Sequence, residues 1–278
     1  MADITAAMVQ ELREATNVGM MECKRALVEA GGDKDKAIRL LRERGVAIAA
    51  KKASRAANQG LISAATQNGK TGSLIEINCE TDFVAKNEGF QAFVKSLAEK
   101  ALTLEDNTLA ASTKDIMAAK VAEIGENLIA KRNIRFALQG PGLVATYIHL
   151  NGKLGVMIEI AAGKDATASS PAVQALAKDL TLHIAACSPK YLVRTDVPAD
   201  VVAAEREIYA KQVTGKPANI VDKIVDGKMG KFYSQVCLVE QGFVKDPDTS
   251  VTQLIEAKAK EAGDTLTIRR FVRWQMGE

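Results

Sequence analysis

The amino-acid sequence predicts an α+β fold that combines a small helical module with two duplicated subdomains, each built on an antiparallel sheet. Apolar residues recur at three- and four-residue spacing through the first 45 residues, which is typical of amphipathic helices. Further along, strand-forming runs flank an Asn-Gly pair twice. This arrangement is a strong hairpin signal because both turn residues must accept a positive φ.

Residues 1–45 are expected to form three short helices. Their apolar stripes are Ile4, Met8, Leu12 and Ala15, then Cys23, Ala26, Leu27 and Ala30, and finally Ala37, Ile38 and Leu41. The breaks fall at residues 16–19, at residues 31–33, where Asp33 can cap the third helix, and at Gly45, which can end it. Residues 46–59 lack a comparable stripe and are expected to be a helical or extended linker.

A duplication is visible in the sequence itself. Asn68-Gly69-Lys70 and Ile75-Glu76-Ile77 recur 83 residues later as Asn151-Gly152-Lys153 and Ile158-Glu159-Ile160. The same register continues into the helix that follows each hairpin. One ungapped register over this length indicates two copies of one structural unit.

The patterns also predict where the units begin and end. The expected boundaries are 60–140 for the first core subdomain, 141–187 with 249–278 for the second, and 188–248 for a helical hairpin inserted into it. A third strand should close each copy, at residues 133–138 and 265–272. Helical patterning over Val197–Val213 and Ile220–Leu238, joined through Thr214–Pro217, predicts the inserted hairpin, a shape suited to protein contact.

Composition limits the class of protein. The chain has 278 residues, 47% of them hydrophobic, so it can bury more than one core. Its net charge is only +3 and aromatic residues make up 4%, which does not favour a direct nucleic-acid partner. The sequence has no signal-peptide core and no apolar run of membrane length, so a cytoplasmic location without membrane association is expected.

Residues for bond-making chemistry are not arranged in any known catalytic pattern. The four cysteines, Cys23, Cys79, Cys187 and Cys237, lie far apart and are interpreted as reduced thiols. The sequence lacks a phosphate-binding G-x-x-x-x-G-K-[ST] loop, a G-x-S-x-G elbow and an H-E-x-x-H helix. The chain is therefore not expected to be an enzyme, and no catalytic residue, metal ligand or cofactor is assigned.

The most informative segment runs from Asn78 to Phe90, where a strand pattern changes to a helix pattern. Asp82, taken alone, would most often be a helix N-cap. Phe83 has two interpretations, since it can extend the apolar stripe of Phe90 or protrude from the corner. Its equivalent in the second copy is Ala166, which favours protrusion because a structural ring would be expected to have a large apolar counterpart.

The motif TDFVAKNEGF, preceded by IEINCE, closely resembles the signature of bacterial-type elongation factor Ts. The similarity covers nearly the whole chain. Other segments that resemble family motifs are Leu12–Leu27, Ile124–Asn127, Tyr147–Gly152, Gly215–Pro217 and Gly227–Phe232. Two positions depart from the opening motif, since Asn17 and Glu22 stand where the family usually has glycine and aspartate.

The resemblance implies a guanine-nucleotide exchange factor that binds elongation factor Tu, disturbs its magnesium and phosphate site and promotes GDP release during translation elongation. By the same resemblance, the residues that enter the partner are Thr81, Asp82, Phe83 and Val84. Further partner-binding positions implied by it are Met20, Met21 and Lys24, in a module that resembles a ubiquitin-associated domain, together with Ile124, Gly125 and His149. Whether the inserted hairpin forms a homodimer is left open.

The residues alone leave other interpretations open. The helical module and the hairpin could belong to a protein-binding scaffold that ignores the nucleotide. Two basic clusters, Lys131-Arg132 with Arg135 and Arg269-Arg270 with Arg273, suggest a ribosome- or RNA-associated protein, although such residues on strands more often solvate a face. Four single residues have structural alternatives: His149 as an edge residue, His183 as a packed residue, and Met229 and Phe232 as hairpin core.

Overall fold

The computed structural model describes residues 4–16, 18–213 and 217–278. The helices are α1 (Ala6–Thr16), α2 (Met20–Glu29), α3 (Lys34–Lys52), α4 (Asp82–Lys86), α5 (Glu88–Ala101), α6 (Leu109–Ser112), α7 (Lys114–Ile124), α8 (Asp165–Ala168), α9 (Pro171–Cys187), α10 (Ala199–Gln212), α11 (Ala218–Val236) and α12 (Val251–Ala262). The strands are β1 (Gln59–Gln67), β2 (Thr71–Cys79), β3 (Ile129–Ala137), β4 (Gly142–His149), β5 (Leu154–Ala162), β6 (Gly242–Phe243), β7 (Asp246–Ser250) and β8 (Leu266–Gln275). The predicted α+β class is confirmed. Residue 17, in an expected break, and residues 214–216, in an expected turn, lie outside the described residues.

Two three-stranded antiparallel sheets form the centre of the molecule. Their strand orders are β1-β2-β3 and β4-β5-β8, and β6 pairs with β7 separately. Gln59 and Thr71 begin β1 and β2, and 83 residues later Gly142 and Leu154 begin β4 and β5. The register seen in the sequence therefore extends to the bounds of the strands.

The two sheets pack face to face, and helices cover their outer faces. Ile75 of β2 lies in a cluster with residues of α5, and Ile158 of β5 lies in a cluster with residues of α9 and α12. The alternate residues Leu74 and Met157 meet in a third cluster between the sheets. Both central strands are thus buried on two faces, which explains why they read as continuous apolar runs rather than alternating ones.

Two glutamates are buried between the sheets at equivalent positions, Glu76 on β2 and Glu159 on β5. Arg132 Nε donates to Glu76 Oε2 at 2.7 Å, and Arg270 Nε donates to Glu159 Oε2 at 2.7 Å. A register shift follows each glutamate. Such carboxylates need a cationic partner, because removing an unpaired charge from water costs several kcal/mol.

The two arginines also reach across to the opposite sheet. The guanidinium carbon of Arg132 lies 4.4 Å from the ring centre of Trp274, and that of Arg270 lies 4.0 Å from the ring centre of Phe136. Each contact is a cation–π interaction. Each sheet supplies one arginine and receives one on its own aromatic ring, as in a symmetric interface between two identical subunits. The basic clusters at these strands are therefore partly committed to internal contacts.

The third helix is longer than expected. The prediction that Gly45 ends α3 is wrong, because α3 runs on to Lys52. Gly45 is buried where α3 meets α7, and a Cβ there would lie 3.5 Å from the carbonyl oxygen of Ala118. Partial burial of Ile48 and Ala49 against the first core outweighs the cost of a helical glycine, about 1 kcal/mol. The predicted linker at 46–59 is thus helical in its first half.

Both hairpins predicted from the Asn-Gly pairs are present. The φ angles are 54° at Asn68, 64° at Gly69, 52° at Asn151 and 86° at Gly152, all in the left-handed region. In the second turn Leu150 is also left-handed, with φ of 49°, and its side chain is exposed. The second hairpin therefore ends in a broader tip than the first.

The inserted segment contains the helices α10 and α11, which pack against each other. Val225, Met229 and Phe232 are buried in the core of this hairpin. Of the two interpretations of Met229 and Phe232, the structural one is correct. His183 on α9 is buried as well, as expected, and its Nε2 lies 3.0 Å from Gln241 Oε1.

We expect Arg132→Leu to lower the free energy of unfolding by about 3 kcal/mol, because it leaves the Glu76 carboxylate buried without its main partner. The measurement is urea unfolding followed by circular dichroism. The matched control is Arg135→Leu on the same strand. Arg135 pairs with the exposed Glu105 at 3.7 Å, so its loss should cost about 1 kcal/mol or less. Equal losses for the two variants would contradict the structural role of the buried pair.

Candidate functional site

The chain turns sharply from strand to helix at residues 81–84, which we call the aromatic corner. Strand β2 ends at Cys79 and α4 begins at Asp82. Thr81 is the N-cap, since the amide of Val84 donates to Thr81 Oγ1 at 3.3 Å. Asp82 is the first helical residue and not the cap, which corrects the sequence-based interpretation of that acid.

Asp82 carries its charge on the open side of the aromatic corner. Lys86 Nζ donates to Asp82 Oδ2 at 2.7 Å. This hydrogen bond is the main reason that the pKa of the Asp82 carboxyl is lowered. The residue is therefore fully ionised at neutral pH, next to an exposed aromatic ring.

Phe83 projects into solvent from the aromatic corner. Its residue surface is 80% exposed, whereas Phe90, one helix further on, is 0% exposed. The two rings do not share a helical face because the backbone leaves the helix at Asn87, with φ −69° and ψ 127°. Asn87 Oδ1 accepts from the amide of Phe90 at 3.0 Å and starts α5 in a new direction. Of the two interpretations of Phe83, protrusion is the correct one.

Glu126 fastens the aromatic corner to the end of α7. Its Oε2 accepts from the amides of Glu80 and Thr81, both at 3.0 Å, and its Oε1 accepts from Thr81 Oγ1 at 2.6 Å. In return, Glu80 Oε1 accepts from the amide of Asn127 at 2.6 Å. Two segments that lie far apart in the sequence are thus joined by four hydrogen bonds that involve carboxylates.

The end of α3 meets the same place. Gly125 ends α7 in the left-handed conformation, with φ of 82°, and its carbonyl accepts from Lys52 Nζ at 2.5 Å. Asn127 Nδ2 donates to the carbonyl of Arg55 at 2.7 Å. The helical module is therefore connected to the aromatic corner through the Gly125–Asn127 segment.

The structure brings part of the predicted site together. A cavity of about 550 Å³ is lined by Thr81, Phe83, Val84, Asn87, Glu123, Ile124 and Glu126. Ile124 thus adjoins the aromatic corner. Gly125 lies between Ile124 and Glu126, which both line this cavity. Glu126 was not among the predicted site residues. Its signal in the sequence is an acid directly after a glycine that ends a helix.

The remaining predicted site residues lie on other elements. Met20, Met21 and Lys24 are exposed on α2, opposite the buried Cys23 that faces the helical core. His149 is exposed at the end of β4, where its Nδ1 lies 2.7 Å from the hydroxyl of Tyr147. Met20, Met21 and Lys24 therefore lie on the helical module and His149 at the end of β4. Neither group is on the same element as the aromatic corner.

Other chemistry has little support among the described parts of the chain. Burial raises the pKa of both Cys79 and Cys237 to about 11, so these thiols stay protonated near neutral pH and are poor nucleophiles. Within residues 4–16, 18–213 and 217–278, no group of three or more His, Cys, Asp or Glu side chains is placed to hold a metal ion. No helix in these ranges has the length and apolar character of a membrane span.

Comparison with known proteins is decisive about the family. A sequence profile described as "Elongation factor TS" matches residues 80–278, beginning immediately before the aromatic corner. The chain belongs to the elongation factor Ts family. This membership assigns it to protein biosynthesis, at the stage of translation elongation.

Curated relatives named elongation factor Ts match almost end to end. The protein from Trichlorobacter lovleyi is 44% identical over an alignment 290 residues long. This alignment covers 99% of this chain and 93% of the relative. One from Clostridium perfringens is 44% identical over 288 residues, with the same coverages. One from Nitratidesulfovibrio vulgaris is 41% identical over 280 residues, covering 99% of this chain and 96% of the relative. The similarity therefore includes the helical module, which precedes the profile match.

We expect Phe83→Ala to change the free energy of unfolding by less than about 0.5 kcal/mol, because the ring is mostly in water. Phe90→Ala is the matched comparison. It should lower stability by about 3–5 kcal/mol, because a fully buried ring leaves a cavity. Urea unfolding of the two variants tests this pair of expectations, and a large loss for Phe83→Ala would mean that the ring is packed in solution.

Proposed function

We propose that this chain is a guanine-nucleotide exchange factor that binds elongation factor Tu and promotes the release of GDP. The observation that carries the proposal is the 80% exposure of Phe83 on a corner that hydrogen bonds hold in place. Moving an exposed aromatic ring out of water lowers the free energy. A ring on a fastened turn leaves the water only when a partner buries it. Family membership supplies the identity of that partner.

The proposed mechanism needs no bond-making residue. Phe83 enters an apolar pocket of the partner, where burial contributes on the order of 1.5–3 kcal/mol. The Asp82 charge and the adjacent backbone then displace the elements that hold magnesium and phosphate. Because binding energies are reciprocal, a chain that binds the nucleotide-free form more tightly must weaken nucleotide binding by the same factor.

One ring does not account for a large effect by itself. A coupling free energy of about 3 kcal/mol corresponds to a little over a hundredfold weakening of GDP. We propose that additional contact comes from Ile124 and Gly125 beside the aromatic corner, from Met20, Met21 and Lys24 on the helical module, and from His149 at the hairpin tip. Exposed methionines suit such a surface because their flexible thioethers adapt to a partner.

The other candidate is a binding scaffold without exchange activity. It would use the same exposed residues but bind the loaded and empty GTPase alike. The RNA-associated alternative is weakened by the ion pairs of Arg132 and Arg270 with buried glutamates. A cytoplasmic location and a homodimer through the inserted hairpin stay predictions.

The deciding experiment is the release of fluorescently labelled GDP from purified elongation factor Tu, with and without this protein. We expect acceleration by the wild-type chain. Phe83→Ala should slow the accelerated rate roughly 10- to 150-fold, the kinetic equivalent of losing 1.5–3 kcal/mol of burial. Val244→Ala, which shortens an exposed apolar side chain at another turn, is the control and should keep the wild-type rate.

One outcome would overturn the proposed function, and a second would overturn the role of the ring in it. Equal affinity of the chain for GDP-bound and nucleotide-free elongation factor Tu would support the scaffold instead. Accelerated release that is unchanged by Phe83→Ala would leave exchange in place but remove the ring from its mechanism.

A further inference from the structure

We propose that Glu126 is the positioning residue of the aromatic corner, and that it acts on nucleotide exchange by holding Phe83 in its projecting orientation. This inference rests on the proposed function. Its carboxylate accepts three hydrogen bonds, from the amides of Glu80 and Thr81 and from the hydroxyl of Thr81. Phe83 follows two residues after Thr81, so the carboxylate acts at the root of the projecting turn.

The Thr81 hydroxyl connects the Glu126 carboxylate to the first turn of α4. Because Thr81 Oγ1 donates its proton to Glu126 Oε1, its lone pairs remain free to accept from the amide of Val84. One carboxylate thus orients the cap, and the cap orients the first turn of α4, which carries Phe83. Hydrogen bonds to a charged acceptor are stronger than neutral ones, which suits a hold of this kind.

The second copy contains part of this fastening, and it lacks the ring. Asp264 follows Gly263, which ends α12 in the left-handed conformation as Gly125 ends α7. Asp264 Oδ2 accepts from the amide of Lys164 at 2.9 Å, and Lys164 lies 83 residues after Thr81. An acid after a helix-ending glycine therefore holds the strand-to-helix corner in both copies.

The second corner has a smaller residue next to its acid, and that acid, Asp264, is shorter than Glu126. Gly163 stands in the position of Glu80, and a Cβ there would come within 2.0 Å of Asp264 Oδ1. The backbone of this corner is nevertheless held, by the hydrogen bond from the amide of Lys164. Ala166 occupies the position of Phe83, so the second corner has the fastening and nothing to project. This difference offers a control within the same chain.

The connection to α3 is a second feature of the first copy. Lys52 and Arg55 contact Gly125 and Asn127 on either side of Glu126. The helical module therefore supports the segment that carries the positioning carboxylate. Preorganisation of this kind removes part of the ordering cost that a flexible turn would pay on binding.

The test compares Glu126→Gln with Asp264→Asn, each in the wild-type and in the Phe83→Ala background. The glutamine keeps the size of the side chain but replaces one acceptor oxygen by a donor. We expect Glu126→Gln to lower the maximal rate of GDP release about tenfold, the order expected for lost hydrogen bonds to a charge. The concentration for half-maximal effect should change less than the maximal rate.

The Phe83→Ala background separates positioning from independent contact. If Glu126 acts through the ring, Glu126→Gln should change the rate by less than roughly twofold once the ring is gone, which is the non-additivity of coupled residues. Asp264→Asn should leave the rate within roughly twofold of wild type although it loosens an equivalent corner. Equal slowing by Glu126→Gln in both backgrounds, no slowing in the wild-type background, or equal slowing by Asp264→Asn would each overturn the proposal.

Hydrogen–deuterium exchange of the free protein tests the hold without any partner. Glu126→Gln should speed exchange at the amides of Glu80, Thr81 and Val84 by about tenfold, as expected when local opening becomes easier. Asp264→Asn should act at Lys164 and not at these amides. Unchanged protection in Glu126→Gln would overturn the positioning role. This result does not depend on GDP release, whose absence with the wild-type chain would overturn only the proposed function.

Discussion

The two carboxylates buried between the sheets constrain the positions of the main elements. Glu76 and Glu159 each need a cation at a fixed point on the neighbouring strand, and the arginines of β3 and β8 supply it. Because side chains alternate along a strand, a one-residue slip would turn each arginine away from its glutamate. The ion pairs therefore favour a single register for β3 and β8, and with it the places where the following chain leaves the sheets.

The same constraint sets the geometry of the aromatic corner. Strand β2 is paired on both sides, so its end at Cys79 has little freedom to move. The acid that fastens the corner, Glu126, comes from the segment just before β3, the other strand paired with β2. The surface feature is thus positioned by the same sheet that the buried charges stabilise, and its exposure does not require a disordered loop.

Sequence reasoning succeeded where the signal was local or repeated. The Asn-Gly turns, the duplicated register and the two helices of the insertion follow from spacing within short windows. It failed at Gly45, where a helix continues because Ile48 and Ala49 pack, partly buried, against a distant core. A local pattern carries no information about such tertiary burial, which overrides the preference of one residue.

The candidate site shows the same division. Comparison of Phe83 with Ala166 correctly indicated a ring that projects, because the repeat provides a reference for what the structure needs. The role of Glu126 was missed because its partners, Glu80 and Thr81, lie more than forty positions earlier in the chain. Asp82 was misassigned as the cap since threonine and aspartate are both good N-caps and stand side by side.

The repeated backbone has a consequence for how many partners one chain can hold. Two strand-to-helix corners stand at equivalent positions of the repeat, yet a bulky aromatic side chain stands on one of them and a methyl group on the other. A protein that recognises the ring finds it once per chain. The stoichiometry of such a complex would then be one to one, set as much by the alanine at position 166 as by the phenylalanine at position 83.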